Sequence, residues 1–438
     1  MEELTHRVYQ AFSLGPLTPE QHKLYVNLDD VRGNADVRRR LAEKIRLSAE
    51  PTYQVLAGHR GSGKSTELRM LQHDLEHPTG GADRYFVVLC QADDDIDRND
   101  VDFPELLIAI VRQMAAQLKA RANISLQPGY FKDRWERVKK LLGSEVSFEG
   151  LELEAGLLKI SSAIKSSPDA RLEVRKLLEP DTSNWLYAAN DVIGQAVLEL
   201  RDKGYAGLVI LVDDLDKMIL RPHEKVGCPT TEYLFVHRAA QLTAFKCHTL
   251  YTMPLSLAYS HQEQNIKNAY GGHVPVIPMT KIATQPPRTR SYAPGVEKFR
   301  EMIGVRLQSA GAAEAKVFAT NEVRDELIRL TGGQPTALMT LVREAIVTHG
   351  LPIDGVSLDR ARTEGQREYA RLLRAEHQPL LQQVRRSGKL ARTEKNEALF
   401  RELLESRAIL QYVNEAEWYG VNPLVPEPPR PTAQRRSK

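Results

Sequence analysis

Two periods of apolar residues divide this chain. Short, nearly continuous apolar runs recur at residues 53–57 (YQVLA), 85–90 (YFVVLC) and 208–212 (LVILV), and segments 247–259 and 273–282 repeat the type. Between them the apolar positions return every three or four residues. Leu68, Leu71 and Leu75 do so first, then Leu106, Leu107, Ile110, Met114 and Leu118, then Val192, Ile193, Ala196, Val197 and Leu200, with another helix expected over 232–246. An unbroken run suits a strand covered on both faces, and the longer spacing suits a helix with one buried stripe. Strands alternating with helices predict an α/β fold around a parallel sheet.

The pattern changes on either side of this core. Residues 1–24 hold a short amphipathic piece and a Pro-rich turn, and 25–47 read as a strand and turn entering a helix faced by Val37, Leu41 and Ile45. Residues 123–184 read as an insertion in which 144–161 alternate like a hairpin and 166–181 form a basic helix, with Arg171 and Arg175 one turn apart on its exposed face. The aspartate-rich segment 91–103 lacks the turn glycine and closing glutamate of a calcium loop, so it is expected to be a solvated acidic loop capping the next helix.

Beyond a Pro-rich loop at 283–295 the periodicity is helical to residue 370, and residues 377–425 run helix, helix, hairpin, the order of a winged helix. The expected division is a nucleotide-binding α/β domain at 1–290, a helical lid at 291–372, a winged helix at 373–426 and a disordered basic tail at 427–438.

Chemistry is most explicit at residues 58–65, GHRGSGKS, which fit G-x-x-x-x-G-K-[ST] in full, after a strand run and before a helix. Gly58, His59, Arg60, Gly61, Ser62 and Gly63 form a loop whose backbone N–H groups can converge on phosphate oxygens, with the helix N-terminus behind them. Lys64 is placed to bridge the outer phosphates, Ser65 to give Mg²⁺ a hydroxyl, and Thr66 completes the loop. ATP with Mg²⁺ is the expected ligand.

The second explicit stretch is 207–217, GLVILVDDLDK. Its carboxylates emerge at the carboxyl end of a buried strand, where open α/β sheets bind ligands. Asp213 is the candidate for holding Mg²⁺ and Asp214 for polarising the attacking water. Thr252, at the end of the 247–259 strand, falls beside them; a phosphate-sensing hydroxyl and an ordinary strand-end threonine are equally good readings. The turn at 333–336, Gly-Gln-Pro-Thr in order, either starts a helix and nothing more or brings Pro335 onto the adenine. Residues 31–34 likewise either line the adenine or make a surface turn.

Composition adds limits. The 438 residues exceed one ordinary domain, 42% hydrophobic content supports real cores, and 27% charged residues cancel to a formal +3, so net charge implies no general polyanion binding. Cys90, Cys228 and Cys247 lie far apart without metal-ligand spacing, which suits reduced thiols and a cytoplasmic setting. No run is long enough to span a bilayer, so no membrane contact is expected.

In order, the P-loop, carboxylate pair, polar strand end, lid turn and winged helix resemble the AAA+ and STAND ATPases, including NACHT proteins and origin-initiator ATPases. GHRGSGKSTEL and VDDLDK also resemble a group of bacterial ATP-binding proteins. The segment LTGGQ is similar to the signature loop of ABC ATPases, but it follows the carboxylate strand here instead of preceding it. The resemblance implies that Lys64, Ser65, Asp213, Asp214, Thr252 and Pro335 take the matching roles, that ATP is hydrolysed slowly, and that lid and winged helix move with nucleotide state. Initiator ATPases usually carry an arginine in the lid turn where this chain has none, which favours the STAND side. No arginine finger carries over, leaving Arg171, Arg175 and Arg306 as candidates. The expected output is action on a protein partner or a second copy of the chain, in a setting such as bacterial defence.

Two other outputs compete. One is a DNA-binding initiator or loader ATPase, which the acidic groove-facing helix (Glu397, Glu402, Glu405 against Arg401) disfavours, although Lys389, Arg392 and Lys395 stand close by. The other is a small-molecule kinase, weakened by the lid and winged helix.

Overall fold

The computed structural model describes residues 2–33, 36–126, 138, 153–223 and 226–427. Five parallel strands, β1 (Tyr53–Gly58), β2 (Tyr85–Gln91), β3 (Gly207–Asp213), β4 (His248–Pro254) and β5 (Val276–Ile277), form one sheet in the order β2-β3-β4-β1-β5. Each strand reads as an apolar run because both faces are covered. Leu56, Val87, Val209, Leu211 and Leu250 meet the helices Val37–Leu47 and Lys64–Glu76 on one side. On the other side, Val55, Ala57, Val88, Ile210, Val212 and Tyr251 meet Phe103–Ala122 and Thr182–Asp202. Alternate residues of one strand thus serve opposite layers, as the pleat requires. β4 separates the P-loop strand from the carboxylate strand, with Leu56 opposite Thr252 and Val212 opposite Tyr251.

The helices Ala293–Ser309, Asn321–Leu330, Pro335–His349 and Gly355–Leu372 build the lid around Phe299, Ile303, Leu327, Leu338 and Val342. Val8, Phe12, Val26, Leu28 and Val31, from the start of the chain, belong to the same cluster. The winged helix follows as Gln378–Ser387, Glu397–Glu405 and the antiparallel hairpin β6 (Ile409–Val413) with β7 (Glu417–Val421). The fold class is therefore the expected one, a P-loop α/β core with a helical lid and winged helix. The winged helix does not stand apart from it, since Leu381, Phe400, Leu403 and Tyr419 join the same apolar cluster as the sheet.

Several local expectations fail, each for a tertiary reason. Residues 25–28 form no strand; 3₁₀ turns at Pro19–Leu24 and Asp29–Val31 fold this segment against the lid instead. The described part of the expected hairpin, residues 153–161, belongs to the helix Leu153–Ser166, because Leu157, Ile160 and Ile164 form a helical stripe that packs on Phe103–Ala122. The rest of that hairpin and the 428–438 tail lie outside the described residues.

The aspartate segment is not a solvated loop. Asp95 is buried among Arg112, Gln113 and Ser161, and Asp97 and Asp100 pair with arginines. Those arginines are Arg171 and Arg175, which are correspondingly not on an exposed face. Arg171 is 4% exposed and binds Asp97 and Asp100, while Arg175 binds Asp100 and Glu105 at 3.0 and 2.7 Å. Burial pushes the Glu105 carboxyl up to about 7 against the pull of Arg175.

Asp102 is the expected cap and more. Its carboxylate accepts from Phe103 N at 2.6 Å, Glu105 returns the bond to Asp102 N in a capping box, and Arg238 grips both carboxylate oxygens at 3.0 Å. Asp102→Ala removes a cap and leaves a partly buried guanidinium with Glu179 and the Tyr233 ring as its remaining partners. A loss of about 3 kcal/mol in urea-unfolding free energy is expected, at the lower end for a broken buried pair.

Candidate nucleotide-binding site

The site begins where β1 ends. Residues 58–63 turn out of the sheet, and the helix Lys64–Glu76 starts immediately after. Gly61 adopts φ +79, which favours glycine, and a Cβ there would meet Gln334 Nε2 at 2.3 Å and displace that side chain from the loop. Lys64, 4% exposed, donates to the carbonyls of Gly58 and His59 and to Asp216 Oδ2, each at 2.8 Å. Its three N–H donors thus have three acceptors.

The carboxylates divide the work unevenly. Asp213 hydrogen-bonds the Ser65 hydroxyl and accepts from Asp214 N at 2.8 Å, and burial with Asp216 nearby raises its carboxyl. A hydroxyl and a carboxylate already in contact are hard oxygen donors of the kind Mg²⁺ takes. Asp214 turns away, at φ +71, to pair with Lys217, and burial and Asp213 push its carboxyl up to about 6. Asp216, to which the sequence reading gave no place in the site, is the carboxylate on the P-loop lysine. Its clue was present in the fourth position of DDLD, one turn beyond the strand. Thr252 lies beside this loop as expected, with its hydroxyl accepting from Leu215 N at 3.1 Å.

A 380 Å³ cavity opens beside the loop. The P-loop from Arg60 to Glu67 forms one wall, and the lid residues Met302, Arg306, Pro335 and Met339 form the opposite wall. Pro16, Leu17, Tyr25 and Val26 close the side, so the Pro-rich turn near the start of the chain is part of the site. No motif marks those residues; only their tertiary position gives them a role. Arg32 also lines the cavity, but its guanidinium is committed to Ser62 O at 2.6 Å and Thr280 Oγ1 at 3.2 Å. Arg306 is inside its own chain's cavity, donates to Met302 O at 3.1 Å, and is pushed down to about 10 by burial. Among the three finger candidates it alone lies in this cleft.

Lid and winged helix both hold the P-loop directly. Gln334 Nε2 donates to Arg60 O at 2.7 Å, and Thr336 N to Gly61 O at 3.3 Å. Gly333, at φ +79, lets this turn pass so close to Thr280 O that a Cβ would stand 1.7 Å from it. From the other side, Gln411 N on β6 donates to His59 Nε2 at 2.9 Å, and Gln411 O accepts from Met279 N. Arg407, at the foot of the hairpin, lines the cavity.

The helix Glu397–Glu405 lies on the core: Glu405 binds Ser256, Glu397 accepts from His261 Nδ1 at 3.0 Å, and Arg401 stands 3.9 Å from Glu232. Among the described residues no helix is long and apolar enough to cross a membrane.

No protein-family model matches the chain, and no curated protein matches it. Several solved structures are similar in arrangement. The ORC2 protein of Aeropyrum pernix, in ADPNP and ADP complexes, is 11% identical at TM-score 0.43, over 95% of this chain and 94% of that one. Cdc6p of Pyrobaculum aerophilum is 13% identical at TM-score 0.41, over 95% and 94%. The ORC1 protein of Aeropyrum pernix in complex with DNA is 14% identical at TM-score 0.39, over 92% and 91%.

His59 generates a prediction. Burial, reinforced by the Lys64 charge, lowers its pKa from 6.5 to about 3, so the folded imidazole is neutral and offers Nε2 as an acceptor. A depressed folded pKa costs no stability above the unfolded value; the cost begins below pH 6.5, where only the unfolded chain takes the proton, and grows until the folded pKa is reached. Between pH 7 and 5 this one residue should remove about 2 kcal/mol of stability, at 1.36 kcal/mol per pH unit below 6.5. Urea unfolding at both pH values should show that loss in the wild type and a correspondingly smaller one in His59→Gln, whose amide oxygen still accepts from Gln411.

Proposed function

We propose that this protein is an ATP-binding and slowly ATP-hydrolysing switch of the AAA+/STAND type, in which nucleotide state sets the position of the lid and winged helix. The observation that carries the reading is that both appended units bond to the P-loop backbone or to its histidine, through Gln334 to Arg60 O and through Gln411 to His59. A loop that must rearrange to wrap phosphates cannot do so without altering those contacts. A ligand favouring one arrangement shifts the population by its differential affinity, about 2.7 kcal/mol for a 100-fold preference.

Within this reading Gly58 to Thr66 bind the phosphates, Pro335 packs beside the base, and Ser65 with Asp213 hold Mg²⁺. Bound Mg²⁺ would neutralise charge on the phosphate oxygens. Lys64 leaves Asp216 for the outer phosphates, Asp214 orients and polarises water, and Thr252 fixes the Leu215 turn that carries the carboxylates. The output is a protein partner or second copy that meets the surface exposed when the winged helix leaves the core, in the cytoplasm.

A second reading is a DNA-binding ATPase of initiator or loader class; the similar ORC1 protein of Aeropyrum pernix is itself in complex with DNA. In this chain the groove-facing helix is engaged with the core through Glu397, Arg401 and Glu405, so DNA binding would need its release. Under this reading an ATP analogue confers salt-dependent duplex binding that is absent with ADP. Under the switch reading the two nucleotides differ in hydrogen exchange over 397–421 and duplex DNA is ignored. Identical exchange in the apo, ADP and ATP-analogue forms would end both.

Lys64→Ala should weaken ATP binding by about 2 to 4 kcal/mol in calorimetry, the scale of a lost desolvated charge contact. Asp214→Asn should leave binding intact and lower phosphate release about 100-fold, the contribution of a positioned general base. If Asp216→Asn abolishes turnover while Asp214→Asn does not, the base is Asp216.

A further inference from the structure

Outside the P-loop cleft, a second group of side chains has the chemistry of a ligand site. Cys228, Glu232 and His237 each present one donor atom, and the three atoms lie within 4.8 Å of one another. Chain spacing conceals the group. Glu232 and His237 are five residues apart, about 140° around an α-helix at 3.6 residues per turn. The chain departs from the α-helix here. Tyr233–His237 is a π-helical turn, and Arg238 N bonds back five residues to Tyr233 O at 3.1 Å. That wider winding returns His237 toward the face of Glu232, and such turns recur at functional sites. Cys228 is fixed just ahead by the bridge of Pro222 to Pro229 and by its carbonyl, which accepts from His223 N at 2.7 Å.

An independent observation points to a ligand. Glu232 is 5% exposed, and only half of its carboxylate is satisfied: Oε1 accepts from Gln262 Nε2 at 3.0 Å, while Oε2 is buried with no hydrogen-bond partner. The Arg401 guanidinium, at 3.9 Å, stands beyond hydrogen-bond reach. A buried carboxylate oxygen left in this state is costly unless a cation meets it.

We propose that Cys228, Glu232 and His237 form a three-ligand site for a divalent cation of the Zn²⁺ class, with a fourth position open to water. Thiolate, imidazole and carboxylate are the Zn²⁺ donor set, and three protein ligands plus an open position is its labile or catalytic form rather than its closed structural one. Tetrahedral bonds of about 2.0 to 2.3 Å put donor atoms about 3.3 to 3.5 Å apart, so the cluster must contract by about 1 Å. Half-buried Cys228 and exposed His237 can supply that movement, while Gln262 holds Glu232 as a second-shell partner would. The site also adjoins the docked helix, because Glu232 faces Arg401 and lies 3.9 Å from His261, the partner of Glu397. A bound cation would therefore compete with Arg401 for the Glu232 charge.

The test is a Zn²⁺ and Co²⁺ titration of the full, nucleotide-free chain after removal of metals by a chelator. One equivalent should bind with a dissociation constant below about 1 μM, and Co²⁺ should develop thiolate-to-metal charge-transfer absorption. Cys228→Ser should abolish that absorption, and His237→Ala, at an exposed position, should weaken Zn²⁺ binding about 100-fold, with ATP affinity in both variants confirming the fold. Sub-stoichiometric binding, absence of the charge-transfer band, or an affinity that both variants leave unchanged would overturn the proposal. ATP binding is independent of all three outcomes, so they leave the switch reading untouched.

Discussion

A lysine ammonium cut off from water sets the terms for the centre of this molecule. Lys64 sits at the start of a helix, 4% exposed, and a charge in that position must be surrounded by acceptors. The loop bends to offer two carbonyls, and the segment after β3 bends to offer Asp216. That single ammonium therefore ties the ends of two strands which β4 keeps apart in the sheet. In the proposed nucleotide-bound state phosphate oxygens would replace these acceptors, and Asp216, on losing its partner, would be left near Asp213 with a charge to settle.

The same economy explains why the appended units lie where they do. His59 is buried beside a positive charge and must remain neutral, so its Nε2 needs a donor; β6 supplies one from its backbone. The carbonyls of Arg60 and Gly61, turned outward by the loop's own curvature, need donors as well, and the lid turn supplies them through Gln334 and Thr336. Lid and winged helix thus supply donors to P-loop acceptors that a helix N-terminus and a strand end alone would leave unsatisfied, while His59 Nδ1 and Ser62 Oγ keep no hydrogen-bond partner among the described residues.

What was legible in the sequence was whatever depends on local period or on one continuous motif. The strands at 53, 85, 208 and 248, the lid helices and the helix-helix-hairpin order all follow from spacing, and GHRGSGKS names its own geometry. Partnerships across the chain were not legible. Arg171 and Arg175 read as solvent-facing because nothing local shows that Asp97, Asp100 and Glu105 lie above them. The stretch to residue 161 reads as a strand until the helix Phe103–Ala122 is placed against Leu157, Ile160 and Ile164. Pro16, Tyr25 and Arg407 enter the cavity from opposite ends of the chain, and Cys228 meets His237 through a π-turn that propensity does not announce.

The acidity of the helix Glu397–Glu405 shows how far such a correction reaches. Read alone, its glutamates argue against a polyanion partner. In the folded chain Glu405 lies partly buried on Ser256, its carboxyl raised by that burial, and Glu397 is bonded to His261. These charges are placed for the core, so their sign describes the docked contact and says little about what the helix would meet after release. Each contact puts a charged group of the helix against a polar or charged one on the core, with Arg401 facing Glu232 among them. Docking of this kind weakens as partners are protonated, screened or claimed by another ligand, whereas the apolar contacts of Phe400 and Leu403 persist. The winged helix is thus held by a hydrophobic base and latched by a polar rim, and a signal that acts on the P-loop or on Glu232 acts on the latch.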